Sequence, residues 1–432
     1  MREVRDGPGR AVRRRQRGGH RRGAAHVDNL GVDADFERTP AYVYAESEDD
    51  VDDLRDEAAA AQRVGLPATV TESPDAPFEV AGALRFDDQA QFHPRKYLLA
   101  VAEAVDDGCG HVFEETRALD LEAGSPCQVE TDRGTVTADD VVVASHFPFD
   151  DPAGYFARMH PARSYLLGVE IEGSLPDGMY LGSASPSPTF RPAGGEEDLL
   201  VVGGQSHKPS VDGPAASERY RRCEAFAREH FEVESVRYRW SSHDYVPVDG
   251  VPFVGPLAPG KDDVYVATGF AKWGMSGGTA AGMILSDLIV EGSSPRADVF
   301  DPMRFVPSAG SPLSDSLRAV SSGAEFVEEN ATVATRWVGD RAKALLSAGD
   351  DDDLLDPGEG AVVRRRGRPV AVHRDGSGEL HASSAVCPHL WCIVEWNDAE
   401  RTWDCPCHGS RFDCDGTVER GPALEDLSPR DL

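Results

Sequence analysis

The segment CPHLWCIVEWNDAERTWDCPCHGSRF, residues 387–412, holds four of the chain's eight cysteines together with two histidines. It reads as two loops: Cys387-x-His389, fifteen intervening residues, then Cys405-x2-His408. Two thiols and two imidazoles suit a structural zinc ion, but zinc fingers pair cysteine with cysteine and histidine with histidine, whereas here each loop supplies one of each. A [2Fe–2S] cluster with two thiolates on one iron and two imidazoles on the other draws one ligand of each kind from each loop. Cys387, His389, Cys405 and His408 are therefore read as cluster ligands, ahead of zinc and well ahead of an unligated disulfide knot. His111, His160, His230 and His373 belong to no such motif and are read as ordinary surface or core residues.

On the N-terminal side of these loops, GAVVRRRGRPVAVHRDGSGELHA alternates like short strands joined by glycine turns, which predicts a small all-β domain over 345–432. The acidic run Asp350–Asp353 and Asp356–Pro357–Gly358 mark its boundary, and residues 301–344 read as a connector with one amphipathic helix beginning at Ala324. Residues 26–300 mix strands and helices. Residues 48–64 predict an amphipathic helix with acids in its first turns and Gly65 as the stop, and His93–Pro94 opens a second helix. A turn at Thr137–Asp140 leads into a strand predicted to be fully buried, Val141–Val143, ending on the small residues Ala144 and Ser145. A small residue at that place is where an α/β sheet admits a ligand. From 151 to 240 the text turns to strands, among them SYLLGVEIEG and DLLVVGGQSH, and predicts an inserted antiparallel layer over the substrate.

Val264–Thr268 is a second buried strand. It runs into Gly269, Phe270, Ala271, Lys272, Trp273, Gly274, Met275, Ser276, Gly277, Gly278 and Thr279, and then into an alanine-rich helix. Strand, glycine-rich loop and helix N-terminus together let backbone N–H groups and the helix dipole approach an anionic or electron-rich ligand.

The chain carries 44 Lys+Arg against 75 Asp+Glu over 432 residues, a formal charge of −31. So acidic a body repels phosphate backbones and anionic lipid, and no apolar run approaches the ~18 residues of a membrane span, so nucleic acid and an integral membrane location are excluded as expectations. Only five of the basic residues are lysine, and an arginine-rich, acid-rich chain suggests a GC-rich genome and a high-salt cytoplasm. Residues 1–25 break the pattern with nine arginines and two acids, so the remainder carries −38. No apolar stretch follows them, which argues against export, and they read as a disordered segment that is not native coding sequence.

The last 85 or so residues resemble a Rieske domain, with Trp391 standing where many members have glycine. The resemblance implies that Cys392 and Cys407 form the disulfide that ties the two cluster loops. Residues from about 35 to 300 resemble the FAD-dependent amine and amino-acid oxidoreductases of the D-amino-acid oxidase and glycine oxidase superfamily, in VVVASHFPF (141–149), HDYVPVDGVPFVGP (243–256) and ATGFAKWGMSGGTAAGMILSDLI (267–289). It implies an α/β FAD-binding domain, with Gly269 to Thr279 facing the flavin and Ala144 and Ser145 near its nucleotide. Lys272, Trp273, His243 and Arg191 are the candidates to face a small-molecule substrate, and an unidentified partner would exchange electrons with the cluster. The family opens with a strand, G-x-G-x-x-G and a helix, which the first 35 residues lack, so the first βαβ unit reads as missing and FAD as held weakly or not at all. Two readings follow: an oxidoreductase passing electrons from an amine or amino-acid-like substrate through FAD to the cluster, or an electron-transfer or vestigial protein with only the cluster competent. A Rieske oxygenase is disfavoured, since no paired-histidine-with-aspartate motif for a mononuclear iron stands outside the cluster loops.

Overall fold

The computed structural model describes residues 33–304 and 355–431, except for 73, 75, 109, 185–187, 196–197, 212 and 262. The arginine-rich segment and most of the expected connector, with its helix, lie outside these residues.

The N-terminal half opens with β1 (Glu37–Arg38), β2 (Ala41–Ala45) and α1 (Glu48–Arg63). Helix α1 forms as its sequence demands: Ser47 caps it by accepting from the Asp50 N–H, three acids fill its first turn, and Val51, Leu54, Ala58 and Ala61 bury one face. Gly65, with φ of +78°, ends it. Then come β3 (Ala68–Thr71), β4 (Gly82–Phe86), β5 (Ala90–Gln91) and α2 (Pro94–Asp107), where the His93 ring accepts from the Lys96 N–H and Pro94 sits in the first turn. A meander, β6 (Ala118–Glu122), β7 (Cys127–Thr131) and β8 (Gly134–Ala138), leads to β9 (Val141–Val143).

The long strands follow: β10 (Met159–Ile171), β11 (Met179–Gly182), β12 (Thr189–Pro192), β13 (Leu200–His207), α3 (Ala216–His230) and β14 (Val233–Pro247). With β2, β3 and β4 they build one eight-stranded sheet in the order β14-β10-β13-β12-β11-β2-β4-β3, antiparallel except where β11 meets β2. The layer expected over 151–240 thus recruits strands from residues 41–86. Those residues bring Tyr42 and Tyr44 into its core: Tyr42 stacks on Tyr180 at 4.8 Å and Tyr180 on Phe190 at 4.6 Å, in one cluster with Tyr220 and Cys223 of α3.

A smaller sheet joins β15 (Phe253–Pro256), β16 (Val264–Thr268) and β9, and α4 (Gly274–Glu291) packs on it through Ala281, Ile284 and Leu285. Gly292, at φ of +70°, stops α4. Strand β9 corrects one expectation. Val143 is buried but Val142 is 40% exposed, because β9 pairs with β16 on one side and, among the described residues, with nothing on the other.

The C-terminal domain is all β: β17 (Gly360–Arg365), β18 (Arg368–Arg374) and β19 (Leu380–Ser384) form one sheet. A second comprises β20 (Glu395–Asn397), β21 (Thr402–Asp404), β22 (Arg411–Phe412) and β23 (Val418–Arg420). Trp403 and Phe412 fill the centre of this domain next to the cysteines of the two loops.

Candidate redox centres

The pairing of β10 with β14 places everything that follows. Pro161 lies opposite Tyr245, Ala162 opposite Asp244, Arg163 opposite His243 and Ser164 opposite Ser242. Side chains alternate along a strand, so the odd-numbered residues share one face of this ribbon and the even-numbered ones the other. The odd face, with Arg163, Ser241, His243 and Tyr245, is buried against the C-terminal domain; the even face, with Ser164, Ser242 and Asp244, turns to the glycine-rich loop between β16 and α4.

On the odd face the two cluster loops converge. Cys392 and Cys407 are disulfide-bonded, leaving Cys387 and Cys405 as the free thiols. The sulfurs of Cys392, Cys405 and Cys407 also lie within 4.8 Å of one another, but two of them are spent on the disulfide, so this trio is not a ligand set. Cys387 and Cys405 are buried and hydrogen-bonded to each other, which lowers the Cys387 thiol and raises that of Cys405. The rings of His389 and His408 stand 5.0 Å apart. Burial pushes His389 down to about 4, and burial with the neighbouring His389 pushes His408 to about 3, so both are neutral, the ligating form. Nδ1 of His389 and both ring nitrogens of His408 are buried without a hydrogen-bond partner. Orphaned ring nitrogens beside two free thiols fit a cluster bound by two cysteines and two histidines, because metal bonds would satisfy what the protein leaves unpaired.

The cluster loops do not reach solvent on the His408 side. His408 is 3% exposed, with Phe147 at 6.4 Å and Phe156 at 6.1 Å between ring centroids. The Tyr245 hydroxyl donates to the His408 carbonyl at 2.7 Å. An ionic lock holds the domain there. Asp404 is paired with Arg163 of β10 and accepts from Arg411 Nε at 2.9 Å and Asn397 Nδ2 at 2.8 Å. Arg411 also pairs with Glu400 and donates to Ser241 of β14 at 3.2 Å, while Glu400 accepts from Tyr220 of α3 at 2.8 Å. Burial alone would raise Asp404, but Arg163 and Arg411 hold it well below the usual carboxylate range.

His243, expected to face a substrate, instead turns to the cluster side: it is 5% exposed, and a Cβ placed on Gly409 would come within 3.0 Å of its Nε2. Its odd position in β14 dictates this. Lys272 stays on the even side. Lys272 Nζ donates to Ser164 Oγ at 2.9 Å and to Ser206 Oγ, and burial lowers its ammonium against the pull of Asp244. Trp273 is 58% exposed. Arg191, on β12, is half-buried, its guanidinium donating to the Pro192 carbonyl at 3.1 Å with no carboxylate partner among the described residues.

The glycine-rich loop has the form a flavin needs. Trp273 gives α4 no side-chain cap, so the N–H groups of its first turn are left for a ligand. Added Cβ atoms on Gly274 or Gly278 would meet nothing within 4 Å, whereas one on Gly277 would strike Phe270 at 2.6 Å, so Gly277 is required for the loop to pack on its own helix. Met275 turns away toward Tyr97 of α2, Ser276 is buried, and the Thr279 hydroxyl bonds back to the Met275 carbonyl. Ala144 and Ser145 are exposed at the end of β9, the latter bonding the Phe147 carbonyl at 2.7 Å. The residues named for the loop therefore come together, though Met275, Ser276 and Thr279 offer backbone rather than side chain. The sequence reading missed Tyr245 and the Arg163–Asp404 pair; their signal, alternation along two long strands, has meaning only once β10 and β14 are known to pair.

The model of the FAD dependent oxidoreductase family, DAO, matches residues 2–288. The chain belongs to this family. The Rieske [2Fe-2S] domain model matches residues 346–429 of the same FAD dependent oxidoreductase. A putative Rieske 2Fe-2S iron-sulfur protein of Bacillus subtilis (strain 168), YhfW, is 37% identical to this oxidoreductase over 410 residues, 94% of this chain and 77% of the relative. The chloroplastic cytochrome b6-f complex iron-sulfur subunit of Volvox carteri is 34% identical over 119 residues, 28% of this chain and 50% of that subunit. Among solved structures, glycine oxidase from Geobacillus kaustophilus superposes with a TM-score of 0.58 at 18% identity, covering 68% of this chain and 82% of that one. L-proline dehydrogenase from P. horikoshii gives 0.55 at 16%, over the same shares. At these identities the structures establish a shared fold. The oxidoreductase thus joins an FAD domain to a Rieske [2Fe–2S] domain, and no described helix is long and apolar enough to cross a membrane.

Proposed function

We propose that this protein oxidises an amine or amino-acid-like substrate at its flavin and passes the electrons to its own Rieske cluster. The observation that carries the reading is the β10–β14 ribbon, which has the flavin loop on its even face and the cluster loops on its odd face. FAD supplies a two-electron acceptor for the substrate's C–N bond, and the cluster a one-electron carrier. Each turnover therefore requires an external one-electron acceptor to be reduced twice.

The protein's own residues then divide the work. Gly274 to Thr279 present the N-terminus of α4 to the flavin. Arg191, a half-buried cation without a carboxylate partner among the described residues, suits the anchoring of a substrate carboxylate. Lys272, held on Ser164 and Ser206, supplies a cation with a lowered proton affinity beside the loop. Ser164, Ser242 and Asp244 line the even face between them.

The test is anaerobic titration of the flavin- and cluster-loaded protein with amino acids and with the matching carboxylate-free amines, followed by flavin bleaching and the electron paramagnetic resonance of the reduced cluster. Both centres should reduce together, and Arg191→Leu should raise KM for the carboxylate-bearing substrates by about tenfold or more, the equivalent of one lost charge-assisted hydrogen bond, while sparing the amines. Flavin bleaching without cluster reduction would sink the coupling, and a cluster that reduces only from outside would favour the electron-transfer reading.

A further inference from the structure

Tyr245 hydrogen-bonds to both cofactor loops. Its carbonyl, on β14, accepts from the Ala271 N–H at 3.1 Å, and its hydroxyl donates to the His408 carbonyl at 2.7 Å. We propose that Tyr245 is a positioning residue that holds the cluster loop in fixed register with the flavin loop and provides a continuous path of covalent and hydrogen bonds between them.

The flavin end needs this support. Ala271 and Lys272 are consecutive non-glycine residues at φ of +50° and +71°. Left-handed backbone is unfavourable for any residue with a Cβ, so the neighbours must impose it. They do so through the Ala271–Tyr245 bond and through Asp244, whose carboxylate accepts the Lys272 N–H.

The cluster end is equally specified. The Tyr245 side chain is 1% exposed and runs between the rings of His146 at 4.7 Å, Phe147 at 5.1 Å and His243 at 5.4 Å. A buried phenol needs a partner for its hydroxyl. Tyr245 takes the backbone carbonyl of His408 and leaves the ring nitrogens to the metal. Gly409, the next residue, stands at φ of +80°, where a Cβ would be strained and would crowd His243 at 3.0 Å. The bond path then runs from the Ala271 N–H through the Tyr245 carbonyl, backbone, ring and hydroxyl to the His408 carbonyl, and on through its Cα and Cβ to the imidazole. The direction of electron flow along it rests on the function proposed above; the clamp does not.

Tyr245→Phe in the full, loaded protein removes the hydroxyl and keeps the ring. Tyr180→Phe is the control, since that phenol is as deeply buried and also donates to a backbone carbonyl, of Asp177 at 2.9 Å, within the core of the large sheet. In Tyr245→Phe the paramagnetic resonance spectrum of the chemically reduced cluster should shift and its potential fall, because a hydrogen bond toward a ligand residue is gone. Flavin-to-cluster transfer after flash reduction should slow, because the hydrogen bond that closes the path between Tyr245 and His408 is lost. Tyr180→Phe should change neither. A Tyr245→Phe spectrum, potential and rate equal to the parent's would overturn the proposal. A shifted spectrum and potential in Tyr245→Phe, with no transfer even in the parent, would uphold the clamp and reject the coupled function.

Discussion

The cluster loops and the flavin loop are built on opposite plans. The cluster loops are cross-linked by Cys392–Cys407, bury their four cysteines and His408, and are covered on the His408 side by Phe147, Phe156 and Tyr245 of the other domain. The flavin loop exposes Trp273, keeps open space over Gly274 and Gly278, and owes its left-handed turn to hydrogen bonds with β14. An electron carrier works best in a dry, unchanging environment that sets its potential, whereas a site that must admit and release a substrate needs an opening. The difference teaches that one ribbon can serve both demands, because alternation sends its side chains to two separate faces while its backbone joins them.

The largest effect should come from the closed side. Cys405→Ser or His408→Ala should abolish the cluster, checked by iron and acid-labile sulfide analysis, while flavin absorption persists. If flavin is lost as well, the two faces are not independent and the comparison breaks. One zinc ion without sulfide in the parent protein would replace the cluster reading altogether.

Next is the lock between the domains. Asp404→Ala leaves buried Arg163 without its carboxylate and Arg411 with Glu400 alone, and breaking such a pair costs about 3–5 kcal/mol. Denaturant unfolding should show the loss, and limited proteolysis should show the Rieske domain releasing first. Because Asp404 is depressed in the folded state, its contribution is present above the ordinary carboxylate range and is lost as acid protonates it. An unchanged midpoint would show that the lock contributes orientation without stability.

The smallest effect concerns His207, at the end of β13, stacked on Tyr165 and pushed down to about 4 by burial and by Arg219 and Arg163. The unfolded chain takes up its proton near 6.5 and the folded one only near 4, so folding stability should fall with acid between those values. The slope for one proton is about 1.4 kcal/mol per pH unit. His207→Phe should reduce the slope of the stability profile in that window by one proton's share and leave the slope above pH 7 unchanged. A parallel profile would show that other groups carry the acid sensitivity.

Much of the molecule was legible before folding. Helix α1 announced itself by the acids of its first turns and Gly65, and α2 by His93–Pro94, because helix-end signals and breakers act over a few residues. The candidate cluster ligands were legible for a similar reason: Cys387 to His408 lie in two loops whose mixed spacing suits a [2Fe–2S] cluster better than zinc. The inclusion of β2, β3 and β4 in the large sheet was not legible, since strand pairing across more than a hundred residues leaves no local mark. Nor was the exposure of Val142, because a run of valines reads alike at the centre and the edge of a sheet.

What this sequence determined by itself is the chemistry it holds: the cysteines and histidines of a Rieske cluster, and a strand, glycine-rich loop and helix suited to a flavin. Both depend on residues close together in the chain, where sterics and ligand geometry act directly. What only the tertiary structure decided is how the two centres face each other. Arg163 and His243, or Pro161 and Tyr245, become neighbours when β10 and β14 pair, and side-chain alternation then sends His243 and Tyr245 toward the cluster and Asp244 toward the flavin loop. A shift of register by one residue would exchange those faces, and it is the burial of the odd residues under the Rieske domain that holds the register.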